Sequence, residues 1–189
     1  MTAGAPGPRV IAGAWRGRRL VAPTGAQTRP TSIRARQAVF DILMHAPWGG
    51  GDLLRGARVL DVFAGTGAYG LEALSRGAAS ADFIEMSKPA LAALRANITA
   101  CGATALSMVE ARDVLRVGPG VAHGLVFLDP PYGQGLVGRA LDVLSARGWI
   151  APEAVMVAEL GPEDEFEVAD PLAVRRHGKA RLMFWRFTP

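Results

Sequence analysis

The stretch RVLDVFAGTGAYGLEALSRG, residues 58–77, decides the fold. Its first six residues, Arg58 to Phe63, are apolar except for Arg58 and Asp61, the pattern of a strand buried on both faces. Glycines follow at 65, 67 and 70, and Ala68 to Arg76 reads as a helix. Working downstream, the unit repeats. Strands are expected at 81–85, 104–109, 125–129 and 154–160, and helices at 89–100 and 136–146, with a short helix or turn near 113–116. Leu91, Leu94 and Ile98 share one face of the 89–100 helix. Strand and helix in alternation imply a parallel sheet with helices on both faces. The C-terminal end breaks the alternation. Residues 166–169 and 172–175 read as short strands, and 180–187 as a strand with no intervening helix. The expected fold class is therefore α/β, a mostly parallel seven-stranded sheet closed by an antiparallel strand.

Working upstream, RVIAGAWRGRRLVA (9–22) reads as two short strands around a glycine-containing turn. Pro23 to Pro30 is a loop, and Thr31 or Ser32 caps a helix running to about Met44. Val39, Phe40, Ile42 and Leu43 are expected to face inward from that helix. Pro47 to Gly56, with three consecutive glycines, reads as a flexible connection. The expected organisation is a basic N-terminal extension, 1–56, on a main domain, 57–189, in one compact unit.

The 189 residues, 50% hydrophobic and 20% charged, suffice for one domain with a real core and argue against disorder. No apolar run reaches the roughly 18–20 residues of a membrane span. Met1 to Pro8 lacks the order of a signal peptide, so a cytoplasmic location is expected. Cys101 is the sole cysteine, and no Cys/His spacing suggests a metal site. Cys101, Trp149 and Trp185 read as packing residues, and the isolated His45, His123 and His177 as surface or interelement residues. A monomer is expected.

The charge of +4 is unevenly spread. Residues 1–40 carry seven arginines and no acid, and the remainder nets −3. Nineteen of the 21 basic residues are arginine, whose planar fork suits phosphate and stacks on bases. A basic head on a mildly acidic body suggests a polyanionic partner. Trp15, among Arg16, Arg18 and Arg19, fits either base stacking or hairpin packing.

Gly65, Gly67 and Gly70 match the dinucleotide-binding spacing, and Glu85 follows Gly65 by 20 residues, at the end of the second strand. An acid there suits both hydroxyls of a ribose. The loop alone does not choose between NAD and another adenosine cofactor, and an NAD-linked oxidoreductase remains open on these residues. Asp61 favours a cationic ligand over a pyrophosphate. S-adenosylmethionine, with an ammonium and a sulfonium, fits that charge. Asp113 suits either the adenine amino group or an ordinary helix cap.

Asp129-Pro130-Pro131-Tyr132 follows the fourth strand of the alternating pattern, on the side of the sheet that forms ligand crevices. The prolines stiffen the turn and remove two N–H donors. What remains, the Asp129 carboxylate and the Pro130 carbonyl, suits an exocyclic amine with two hydrogens to place. Tyr132 offers a face on which a base stacks.

DVFAGTG (61–67) followed by DPPY (129–132) resembles the S-adenosylmethionine-dependent amino-methyltransferases of nucleic acids. RVIAGAWRGRRL (9–20), RPTSIRARQAVFDIL (29–43) and GLEALSRGA (70–78) are similar to one family in particular, the bacterial small-subunit (16S) ribosomal RNA guanine-N2 methyltransferases. The likeness runs from about Arg9 to Arg186. It implies a Rossmann-like class I methyltransferase domain over 57–189 and methyl transfer to the exocyclic N2 of one guanine. The substrate implied is 16S ribosomal RNA within an assembling small subunit, with S-adenosylhomocysteine as product and no metal. By motif, Asp61, Phe63, Gly65, Thr66, Gly67, Glu85, Met86 and Asp113 line the cofactor, and Asp129, Pro130, Pro131 and Tyr132 hold the guanine. Arg16, Arg18, Arg29, Thr31, Arg34 and Arg36 belong to the RNA-facing part. Ile33 stands where that family pattern has a polar residue and Gln37 where it has Glu. The alternatives are a DNA adenine-N6 or cytosine-N4 methyltransferase, whose chemistry the same tetrapeptide serves, and a non-catalytic RNA-binding assembly factor.

Overall fold

The computed structural model describes residues 7–23 and 33–189. Its centre is a seven-stranded sheet built from β1 (Arg58–Val62), β2 (Ser80–Ile84), β3 (Ser107–Glu110), β4 (His123–Leu128), β5 (Ile150–Leu160), β6 (Ala173–His177) and β7 (Ala180–Arg186), in the order β3-β2-β1-β4-β5-β7-β6. The first five strands pair in parallel. β7 runs antiparallel to both β5 and β6. The helices are α1 (Ile33–His45), α2 (Gly51–Leu54), α3 (Ala68–Ser75), α4 (Lys88–Ala100) and α5 (Leu136–Ala146).

Two apolar layers sandwich the sheet. Alternate residues of each strand face opposite sides. Val59, Phe83, Leu125, Phe127, Val155, Val157, Leu182 and Phe184 pack under α1, α3 and α4 with Phe40, Tyr69 and Leu94. Leu60, Val62, Val126, Leu128, Met156 and Met183 pack on the other side, under α5 and the short 3-10 turn Val114–Arg116. The helix after β1 and the helix after β4 lie on opposite faces, which opens a crevice between the C-terminal ends of these neighbouring strands.

Several expectations change. The segment 9–22 holds a single bridge, Arg9 to Arg19, rather than two strands. The bridge is antiparallel, as the hairpin reading expects, and is made by Val10 N–H to the Arg18 carbonyl, 2.9 Å, and Leu20 N–H to the Pro8 carbonyl, 2.7 Å. The connection 47–56 contains α2, because Leu54 is apolar and fully buried against the core. β3 begins only at Ser107, since Thr104–Leu106 closes a 3-10 turn. Residues 166–169 form no strand, and their Phe166 packs on Trp185 instead, 5.5 Å between ring centroids. β5 starts four residues early, and its pairing with β4 shifts register between His123 and Leu125. His123 bridges elements but is fully buried, its ring between Asp82, 2.9 Å, and the Trp149 carbonyl, 3.1 Å. Cys101, Trp149 and Trp185 are buried as expected.

The N-terminal arm is fastened to α3 and α4 by buried polar side chains. Glu72 accepts from Ile11 N–H at 2.6 Å and Ala12 N–H at 3.0 Å. The Ser75 hydroxyl donates to the Ala12 carbonyl and accepts from Trp15 N–H at 2.9 Å. Asn97 on α4 pairs with both backbone groups of Val21, 2.7 and 3.1 Å. At the far edge of the sheet, β6 exposes Val174, Arg175 and Arg176, and Arg175 donates to the Val174 carbonyl at 2.9 Å.

Among the described residues no helix is long and apolar enough to cross a membrane. No group of three or more His, Cys, Asp or Glu there is placed to hold a metal ion.

Candidate active site

The C-terminal ends of β1, β2 and β4 bring Phe63 to Gly67, Glu85 and Asp129 to Tyr132 to one rim of the sheet. Asp113 stands beyond β3 on the same rim.

Asp61 is the penultimate residue of β1, 2% exposed, and its Oδ2 accepts the Gly70 N–H at 2.8 Å. That bond ties the strand to the first turn of α3. Burial raises the Asp61 pKa to about 8. The Gly70 N–H and the Arg36 guanidinium oppose the shift, and the carboxylates of Asp129 and Glu85 add to it. The chain turns sharply after the strand. Phe63 takes a positive φ of 62°, uncommon for a side-chain-bearing residue, and Gly65 and Gly67 follow at 55° and 77°. At Gly67 space also forbids a side chain, since a Cβ would stand 2.4 Å from Leu94 Cδ1. The Asn97 amide donates to the Thr66 carbonyl at 3.0 Å, so one residue holds both the glycine loop and the N-terminal arm.

Glu85 is already committed to backbone amides. Oε2 accepts from Gly65 at 2.8 Å, and Oε1 from Met86 at 2.8 Å and Ser87 at 2.7 Å. Two bonds fill the lone pairs of Oε1, which leaves acceptor capacity on Oε2. The expectation that Glu85 takes both hydroxyls of a ribose is therefore narrowed to one unless an amide is released. Met86 is 67% exposed beside it. Asp113 caps the 3-10 turn, accepting from Leu115 N–H at 3.0 Å, with the cap reading of its spacing realised.

In the tetrapeptide, Pro130 is buried, Pro131 exposed, and Asp129 and Tyr132 half-buried. The Tyr132 hydroxyl donates to Glu159 Oε1. Its ring lies against Gly161, where a Cβ would stand 2.5 Å from the ring. Tyr69 stacks on Phe127, 4.9 Å between centroids, one residue pair below Asp129. Burial raises the Tyr69 pKa well above its ordinary value, and Asp129 and Glu159 push the same way.

The arginines divide. Arg16 and Arg34 are exposed. Arg18 is exposed too, but one of its nitrogens donates to the Ala100 carbonyl at the end of α4. Arg36 departs from its expected RNA-facing role: it is fully buried, donates to the Arg9 carbonyl, and lies near Glu72, Tyr69 and Asp61. It points inward because helical spacing puts it one turn from Val39 and Phe40 on the core face of α1. Burial lowers its pKa, against the pull of Glu72. Gln37 turns to Asp41 on its own helix, 2.7 Å, and Ile33 is 40% exposed. Arg29 and Thr31 lie outside the described residues.

Glu72, Asn97 and Glu159, which hold the arm, the glycine loop and Tyr132, were not singled out by the sequence reading. A lone acid or amide in an apolar run was the available signal, and it does not say what the side chain reaches.

The family described as conserved hypothetical protein 95 matches residues 8–186. The ribosomal RNA small subunit methyltransferase D of Escherichia coli is 39% identical over 152 residues, 80% of this chain and 73% of the relative. That of Haemophilus influenzae is 33% identical over 156 residues, 80% and 77%. The solved structure of yhhF from Escherichia coli superposes with a TM-score of 0.80 at 34% identity, covering 95% of this chain and 97% of that one. An RNA methyltransferase from Salinibacter ruber, solved with S-adenosyl-L-homocysteine, shares the fold at a TM-score of 0.59 and 16% identity. The fold is thus the Rossmann-like fold of methyltransferases. The chain belongs to the ribosomal RNA small subunit methyltransferase D family.

Proposed function

We propose that the protein transfers a methyl group from S-adenosylmethionine to the exocyclic N2 amine of one guanine in small-subunit ribosomal RNA. Family membership supports the substrate class, and the names of the relatives carry ribosomal RNA methylation. The observation that bears most weight is the pairing of Val62 with Leu128 at the ends of β1 and β4, directly before Phe63 of the glycine loop and Asp129 of the tetrapeptide. It puts an acceptor-rich, donor-poor turn beside a loop built to approach a ligand closely.

The residues at the rim fit the cofactor. Phe63, Gly65, Thr66 and Gly67 form the turn against which it lies. Glu85 Oε2 accepts from a ribose hydroxyl, and Met86 covers the adenosine side. Asp113 keeps a second carboxylate oxygen for the adenine amine. Asp61, whose carboxyl burial keeps largely protonated, anchors the loop through the Gly70 N–H, and a cationic ligand above it draws it toward the carboxylate. When bound, S-adenosylmethionine supplies a methyl group already activated by its sulfonium.

The chain's own work is then positioning and electrostatics. Asp129 and the Pro130 carbonyl take the two hydrogens of the amine and turn its lone pair toward the methyl. Pro130 and Pro131 keep the turn rigid, and Tyr132 bounds the base. Asp129 accepts the proton released as the new N–C bond forms. Arg16, Arg18 and Arg34, with Arg29 and Thr31, meet RNA phosphates, and the protein acts as a monomer on an assembling subunit in the cytoplasm.

The test is labelling of small subunits from a strain lacking the enzyme, with mass-spectrometric mapping of the product. A single N2-methylguanine is expected, abolished by Asp129→Ala with cofactor affinity intact. Label on another base, or none under conditions in which a related enzyme works, overturns the reading.

A further inference from the structure

An aspartate-proline-proline-tyrosine turn accepts any exocyclic amine, so by itself it leaves the choice of base open. The neighbouring strand carries a group that makes the choice. Phe127 and Leu128 of β4 pair with Val157 and Ala158 of β5, so the next residues along, Asp129 and Glu159, stand side by side at the rim. Phe127 and Val157 both face α1 and α3, and Asp129 and Glu159 both act electrostatically on Tyr69 of that same layer. Adjacent strands run about 4.8 Å apart, which suits two carboxylates flanking neighbouring atoms of one base edge.

Glu159 is 8% exposed. Its Oε1 accepts the Tyr132 hydroxyl, while Oε2 is buried with no hydrogen-bond partner among the described residues. A buried carboxylate oxygen without a donor is costly, and such groups call for a functional account. The ring it holds is fixed on its other side by the backbone of Gly161. The carboxylate is thus held through Oε1, next to the amine acceptor, with Oε2 left over.

We infer that Glu159 is the specificity-determining residue of the site, its Oε2 accepting the N1–H of the target guanine. The inference rests on the guanine-N2 reading above. Guanine alone among the amine-bearing bases has a donor on the ring nitrogen next to its exocyclic amine. Adenine N1 and cytosine N3 present a lone pair there, which a carboxylate repels. Asp129 thus reads the amine and Glu159 reads which base carries it. Discrimination of this kind is strong, because the wrong base leaves buried polar groups facing one another unpaired.

The probe is 2-aminopurine, which keeps the N2 amine and replaces the N1–H with a lone pair. Small subunits carrying guanine or 2-aminopurine at the mapped nucleotide are assayed with the wild-type protein and with Glu159→Gln, alongside thermal unfolding and cofactor affinity. The wild type is expected to favour guanine by about 10- to 100-fold in kcat/KM, the loss of one charge-assisted hydrogen bond. In Glu159→Gln the amide oxygen still accepts from Tyr132 and the amide NH2 faces the base. Guanine turnover is expected to fall about 10- to 100-fold and 2-aminopurine to become the better substrate. Equal losses on both substrates, or an unchanged guanine rate, overturn the inference and leave the guanine-N2 reading standing. Equal wild-type rates on the two bases also overturn it, whether or not the variant folds. A wild type that methylates no guanine overturns both.

Discussion

Glu72 on α3 accepts the backbone N–H of Ile11 at 2.6 Å, across 61 residues of sequence. It also takes Ala12 N–H at 3.0 Å and the Arg76 guanidinium at 2.7 Å, all while fully buried. One carboxylate thereby docks the basic arm onto the domain that holds the glycine loop. Glu72→Ala leaves two amides and the partly buried Arg76 guanidinium without their acceptor. A loss of about 3–5 kcal/mol is expected, read from the urea midpoint. Limited proteolysis should then cut between residues 10 and 22, which the wild type protects. An unchanged digestion pattern would show that the arm is held by other contacts.

Asp61 should give stability a distinctive pH dependence. Its pKa in the folded protein, about 8, stands above the ordinary 3.8. Between those values the folded state binds more protons than the unfolded one, so this group's contribution is whole below about pH 4 and is lost as pH rises through about 8. Asp61→Asn keeps an acceptor for Gly70 N–H and removes the titration. The variant's melting temperature relative to wild type should climb steadily from about pH 5 to about pH 8 in calorimetric scans. A constant difference would mean that Asp61 is ionised throughout.

Asn97 makes three bonds, to Val21 N–H, the Val21 carbonyl and the Thr66 carbonyl. Asn97→Ala should cost about 2–3 kcal/mol and weaken S-adenosylhomocysteine binding about tenfold by loosening the glycine loop. Asn97→Asp should be worse than alanine, since it sets a carboxylate against two carbonyls. Calorimetric titration of the two variants checks the order.

The arginines should separate by salt dependence. Arg16→Ala and Arg19→Ala, both at exposed positions, are each expected to lower the slope of log affinity for RNA against log salt by about 1. Arg36→Ala should instead lower the unfolding midpoint and leave that slope alone, because its side chain is buried. A change in slope for Arg36→Ala alone would reverse the assignment.

The parts of the molecule that follow a period were legible in the sequence. Strands β1, β2, β4 and β7 and the helices α4 and α5 fall close to where apolar spacing puts them, because local periodicity and burial coincide there. Asp61, Glu85 and Asp129 could be singled out because glycines and prolines around them mark turns at strand ends. Segments shaped by distant partners were not legible. The arm of residues 9–22 is alternating enough to suggest strands, yet it forms a single bridge, and the N–H groups of Ile11, Ala12 and Trp15 go to Glu72 and Ser75. Arg36 was grouped with RNA-facing arginines on charge, though its helical phase with Phe40 already pointed inward. Glu159 sits in an apolar run whose parity says which face it takes, but not that Tyr132 and Asp129 await it there.

The rim of the sheet farthest from β3 has its own logic. Among the described residues β6 is the outermost strand, its exposed row includes Arg175 and Arg176, and Arg175 occupies the Val174 carbonyl. A second copy zipping onto that border would bring like charges face to face, and it would first have to strip away an internal donor. The border therefore resists fibre-like stacking through electrostatic self-avoidance rather than by being covered.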